Sequence, residues 1–171
     1  MSENITINLE GLNKEEREQL LRLVEKAKRP KKIWKPECGE WYWYIGSDGR
    51  INNCEWENDR IDRGRYSMGN CFRTKEEARI AREKQKIKIE LQRFADEHND
   101  QERAAWDGFN EHCGIRYDCL RSDLDTSTMY QFRDIGAIYF DSPGIAKDAA
   151  NKVGVKRIMK YLFDADCEVD E

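Results

Sequence analysis

An acid, an imidazole and a thiol crowd together once in this 171-residue chain, at Glu111-His112-Cys113. A thiolate nucleophile needs a base within hydrogen-bond reach, so this triplet is the first place to look for covalent catalysis. Neighbours in sequence rarely face one another, and the other histidine, His98, sits at the expected end of a charged helix, which argues against a cysteine enzyme. The six cysteines, Cys38, Cys54, Cys71, Cys113, Cys119 and Cys167, stand singly, with no Cys-x-x-Cys or His-x-x-x-His pair to close a zinc site. The glycines fit neither Gly-x-Gly-x-x-Gly nor Gly-x-x-x-x-Gly-Lys-Ser/Thr. The motifs imply no catalysis, metal or cofactor.

Two other groups of side chains could bind rather than react. Glu55, Glu57 and Asp59 recur with period two, which on a strand places them on one face about 7 Å apart. Such a row could hold a hard cation, imitate nucleic-acid phosphates, or keep an exposed strand face soluble. Asp123 and Asp125 read as turn caps. Aromatic residues are concentrated in Trp41-Tyr42-Trp43-Tyr44, where alternation sets Trp41, Trp43 and Ile45 on one face and Tyr42 and Tyr44 on the other. Tyr42 and Tyr44 near Arg60, Arg63 and Arg65 would suit base stacking or a protein hot spot of Tyr and Arg, unless helices cover both faces.

The elements that must position these residues follow from periodicity. Ile5 to Leu9 alternates as a half-buried strand, and Asn13 with Glu16 forms a capping box for a helix that Pro30 ends. Trp41–Ile45, the turn Ser47-Asp48-Gly49 and Arg50–Glu57 predict a hairpin. A polar stretch, Asn58–Arg65, and a third strand, Tyr66–Phe72, precede a Thr74-capped helix running to about His98. The remainder repeats the plan: strands at Ile115–Leu120, Thr128–Arg133 and Ile135–Phe140, with a turn at Asp123–Ser127. A helix then starts from Ser142 and Pro143, and a last one covers Lys156–Phe163. Phe72-x-Thr74-x-x-x-Ala78 and Phe140-x-Ser142-x-x-x-Ala146 share a spacing, which suggests a duplicated unit.

Charge separates the halves. The chain carries 30 Lys+Arg and 34 Asp+Glu, net -4. Residues 1–100 hold 21 cations and 20 acids, net +1, and residues 101–171 hold 9 and 14, net -5. The basic run from Lys26 to Lys35 and the acidic tail from Asp164 read as solvated surface, as does the stripe Arg79, Arg82, Lys86 and Arg93, which Glu76, Glu83 and Glu90 accompany. The longest strongly apolar run, Trp41–Ile45, is far below the roughly 20 residues of a membrane span, so a cytoplasmic location without a membrane is expected.

Trp34-Lys35-Pro36, Gly39-Glu40-x-Tyr42-x-Tyr44-Ile45, Asp48-Gly49, Gly69-Asn70-x-Phe72-x-Thr74-Lys75-Glu76-Glu77-Ala78 and Leu91-x-x-Phe94-Ala95 resemble a family of uncharacterised phage and prophage proteins of Gram-positive bacteria. The resemblance covers about residues 30–98, and Ala137–Phe163 resembles a companion module of such proteins. It implies an accessory protein of a mobile element, some of which resemble inhibitors of host defence such as anti-CRISPR proteins, and it transfers no catalytic residue.

The combined expectation is an α+β fold in one body: a strand and helix at 1–32, an aromatic-rich three-stranded meander with a long helix at 33–100, and an acidic second meander with helices at 101–171. The expected function is non-enzymatic inhibition of a bacterial defence complex, foremost a CRISPR-Cas nuclease, by protein contact. Tyr42, Tyr44, Arg60, Arg63 and Arg65 are the candidate contact residues, with Glu55, Glu57 and Asp59 as the acidic alternative. The competing expectation is a nucleic-acid-binding accessory of phage replication or regulation.

Overall fold

Asn13 and Glu16 exchange side-chain and backbone hydrogen bonds at 2.9 and 3.0 Å, and helix α1, Lys14–Lys28, starts from that capping box. The computed structural model describes residues 11, 13–28 (backbone only from 22), 34–100, 102 and 105–166. The strand expected at Ile5–Leu9, part of the basic run and the end of the acidic tail lie outside the described residues.

The chain is an α+β protein, with two small antiparallel sheets among the described residues. In the first, β1 (Trp41–Ile45) pairs with β2 (Ile51–Glu55) in the register Tyr42↔Cys54 and Tyr44↔Asn52. The expected third strand at 66–72 is reduced to a single bridge, Trp43↔Phe72, closed by two 2.8 Å backbone bonds. Residues 60–67 instead form helix α2, Arg60–Ser67, so the predicted polar stretch and most of the predicted strand are one helix and its turn. Asp59 caps α2 by accepting from the Asp62 amide, and Gly69, at φ 69°, turns the chain back toward β1. The Asn70 carboxamide then bonds both the N–H and the C=O of Ile45 at 2.8 Å, completing with a side chain the edge that a strand would have paired.

Helix α3, Lys75–His98, begins at Thr74, whose hydroxyl accepts from the Glu77 amide. It runs beside both β1 and β2 and contacts both later helices, so it joins the two halves. In the second half, β3 (His112–Asp118) pairs with β4 (Asp123–Met129), and the short β5 (Tyr139–Phe140) returns to β3. The sheet order β4-β3-β5 corrects the predicted meander; the strand expected at Thr128–Arg133 lies earlier, at Asp123–Met129, and the one expected at Ile135–Phe140 shrinks to Tyr139–Phe140. The turn lies at 119–122, not at Asp123–Ser127. Asp118 explains that shift: its carboxylate accepts from the Leu120 and Arg121 amides, and Ser122 takes φ 51°, leaving Asp123 and Asp125 in strand.

Both sheets therefore place their first strand in the middle, with a hairpin partner on one side and a returning phenylalanine on the other: Trp43↔Phe72 and Cys113↔Phe140. Each phenylalanine is followed by a hydroxyl cap and a helix with a fully buried alanine, Ala78 or Ala146. Helix α4, Pro143–Val153, starts from Ser142, and Gly154 at φ 104° separates it from α5, Val155–Leu162. The main core gathers Ile87, Leu91 and Phe94 of α3 with Cys113, Phe140, Ala146, Ala149, Ile158 and Tyr161. Arg157 of α5 ties this core to α3 from outside, reaching Glu90 at 2.6 Å and Glu83 at 3.2 Å.

Candidate functional site

Tyr42, Tyr44 and Arg65 are brought together, but inward. β1 turns its even residues toward α2, and Tyr42 is fully buried there, so it is not the exposed aromatic that the spacing predicts. Its hydroxyl donates to Asp62 Oδ1 at 2.7 Å and accepts from Arg65 Nη1 at 2.9 Å. The same Nη1 donates to Cys54 Sγ at 3.2 Å, and the guanidinium lies 3.5 Å from the centroid of the Tyr44 ring. Asp62, itself buried, also accepts from the Glu57 amide at 2.8 Å. Burial pushes the Tyr42 phenol well up and would raise the Asp62 carboxyl too, but the Tyr42 hydroxyl and the Glu57 and Asp59 amides hold Asp62 below the usual carboxylate range. Burial would lower Arg65, an effect that its interactions with Tyr42, Tyr44 and Cys54 together outweigh. At neutral pH the set is a charged Arg65 and Asp62 joined through a neutral phenol, which fastens α2 to the sheet.

The other sequence candidates separate. Arg60 and Arg63 stay on the exposed side of α2, where Arg63 donates to Asn58 O at 2.7 Å. Glu55, Glu57 and Asp59 do not form a row. β2 ends at Glu55, Asn58 reverses the chain at φ 57°, and Asp59 spends its carboxylate on the α2 cap. His112 and Cys113 alternate along β3 and so point to opposite faces. His112 stacks on Trp106 with ring centroids 3.9 Å apart, while Cys113 is fully buried against Thr128, its thiol pushed up by burial. They do not make a nucleophile and its base. Among the described residues, no three His, Cys, Asp or Glu side chains gather as a metal set. None of the helices described is long and apolar enough to cross a membrane.

Sequence reasoning missed a second region, built from two adjoining loops at 105–111 and 130–138. The Arg133 guanidinium sits 5.8 Å from the Trp106 ring centroid, Gly108 lies beside the Gln131 side chain, and Tyr139 Oη accepts from the Asp134 amide. These contacts hold the loops together while their large apolar side chains point to solvent: Phe109 is 87% exposed, Phe132 76%, and Ile135 wholly so. Where residues 134–138 diverge from β3, an apolar cleft of about 260 Å³ opens, lined by Leu91, Ile115, Met129, Ile138, Tyr139 and Phe163 among others. Its polar rim is Lys88, Arg116 and Asp134. The available signal was the apolar content of Tyr130–Ile138, which also fits a strand; Gly136, at φ 73°, helps turn it into a loop.

Among the described residues, the fold and these two regions define an α+β protein with a polar cluster built on the buried Tyr42 and Asp62 and an exposed apolar loop surface. No protein-family model, curated protein or solved structure matches the chain.

Proposed function

We propose that this chain is a non-enzymatic binding protein carried by phage, acting in the bacterial cytoplasm, that blocks a host defence complex by protein–protein contact. A CRISPR-associated nuclease is the first partner to test. The supporting observation is the pair of loops carrying Phe109, Phe132 and Ile135 in water beside an apolar cleft. Large apolar groups held out from a surface lose their hydration cost on docking, and aromatic anchors beside a pocket are the usual centre of a protein interface. The choice of a defence complex as target comes from the phage-family resemblance of residues 30–98. Arg60 and Arg63, exposed on α2, remain candidate contacts on a separate face.

The test is phage plating on a host with an active CRISPR-Cas system, together with affinity capture of the nuclease by the tagged protein. Expression should restore plating and co-purify the nuclease. Phe109→Ser with Phe132→Ser and Ile135→Ser should abolish both while leaving the thermal midpoint unchanged, because these side chains are already solvated. Unchanged plating together with no captured nuclease would sink the reading.

A further inference from the structure

A groove of about 600 Å³ lies between β2 and the first two turns of α3, away from the apolar loops. Four of its lining side chains are cations, Arg50, Lys75, Arg79 and Arg82, against the single carboxylate of Glu76. Glu76 is committed to Arg79, which it grips with both oxygens at 2.8 Å, and Arg79 also donates to Tyr161 Oη. That leaves three cations around the groove less fully neutralised. Lys75 has no carboxylate within 4.0 Å among the described residues; its ammonium lies 5.8 Å from the Trp43 ring centroid. Arg50 meets Asp48 at 3.4 Å, with both side chains largely in water, a pair that an incoming anion displaces at little cost. Arg82 bonds Gly49 O at 3.4 Å, but its buried Nε has no hydrogen-bond partner, and its nearest carboxylate oxygen, on Glu83, is 3.6 Å away.

Helix energetics adds an independent point. Lys75 is the first residue of α3, a position where the macrodipole disfavours a cation, although Glu76 and Glu77 follow it in the same turn. A lysine at a position the helix disfavours, without a carboxylate partner among the described residues and beside three arginines, is free to meet an incoming anion. An anion seated there would meet Lys75, Arg50 and Arg82 together.

We infer that this groove binds phosphate groups, supplied either as a free polyphosphate or as the backbone of a single-stranded nucleic acid. Arginine forks and a lysine ammonium are the donors that phosphate oxygens take up, and an open groove of this size admits several phosphates in a row. The surface is separate from Phe109, Phe132 and Ile135, so the site stands or falls independently of the protein-binding proposal.

The test titrates the full chain with inorganic tripolyphosphate by calorimetry and with a labelled oligothymidylate of roughly 12 nucleotides by anisotropy. At least one should bind saturably, and Arg50→Glu with Lys75→Glu should weaken binding about tenfold or more. Lys147→Glu with Lys156→Glu, which changes net charge equally at exposed positions elsewhere, should change it less than about twofold. Tripolyphosphate alone binding assigns a free phosphate ligand. Oligonucleotide binding that falls with salt by about 0.7 log units per log unit for each phosphate engaged assigns a strand. Failure of both ligands to bind, or equal weakening by the two charge-reversal pairs, overturns the site.

Discussion

The Tyr42 hydroxyl donates to the buried Asp62 carboxylate at 2.7 Å, joining the middle strand of the first sheet to a helix 20 residues away. The bond is worth more than its length suggests because the phenol is also the acceptor for Arg65. Tyr42→Phe keeps the ring but leaves both partners short of a bond inside a poorly solvated pocket. The expected loss is about 2 kcal/mol, read as a lower urea midpoint with unchanged slope. An unchanged midpoint would mean that water replaces the hydroxyl and that the cluster does not brace α2.

The same carboxylate makes stability depend on acid. Asp62 is held below its unfolded value of about 4, so folding keeps it deprotonated where the unfolded chain has taken up a proton. Its contribution is complete above the unfolded value and disappears as pH falls through the folded one. Glu83, which burial would raise but Arg157, Lys86 and Arg82 hold low, acts in the same direction. Stability should therefore plateau above about pH 5 and decline below about pH 4, and Asp62→Asn should flatten that decline. Urea midpoints measured across this range decide the matter; a parallel decline in the variant counts against Asp62 as a source.

What was legible in the sequence was local. The hydroxyl caps at Thr74 and Ser142 and the apolar stripe of α3 announce themselves within one or two turns, and the structure places those helices within a residue of expectation. Helix α2 was not legible because it has no apolar stripe: Ile61 is exposed, and the buried residue is Asp62, held by partners from another element. Strand partners depend on distant residues, so Phe72 and Phe140 could be seen ending strands but not returning to Trp43 and Cys113. The candidate site suffered most. Tyr42 and Arg65 were found, but whether an aromatic row faces water depends on which helix covers it.

The two hydroxyl caps provide a paired test of the repeated strand-cap-helix junction. Thr74 Oγ accepts from the Glu77 amide at 3.1 Å, and Ser142 Oγ from the Ile145 amide at 3.3 Å. Thr74→Ala and Ser142→Ala should each cost about 1 kcal/mol. They share no hydrogen-bond partner, so the double variant should lose close to the sum. Two separate unfolding transitions in either variant would show instead that the halves joined by α3 melt independently.

Arg157 and Glu90 should be energetically coupled, since α5 reaches α3 through their 2.6 Å pair. Arg157 is largely covered and its guanidinium also holds Glu83, so the pair is better ordered than an ordinary surface bridge. A double-mutant cycle with Arg157→Ala and Glu90→Ala should return about 1 kcal/mol, reduced but not abolished at high salt. Coupling indistinguishable from zero would assign the packing of α5 to Ile158 and Tyr161 alone.

Thiol labelling should sort the cysteines by environment. Cys38 and Cys119 are exposed, whereas burial pushes Cys71 up to about 11, helped by nearby Asp62, and encloses Cys113 completely. Because the thiolate is the reacting form, a disulfide reagent at about pH 8 should consume Cys38 and Cys119 first. Cys113 should react only as fast as the β3 region opens, and subdenaturing urea should accelerate it. A Cys167→Ser background removes the cysteine outside the described residues, and mass spectrometry of the labelled peptides reads the order. Prompt labelling of Cys113 in the folded protein would contradict its burial and would return the Glu111-His112-Cys113 triplet to consideration as a reactive site.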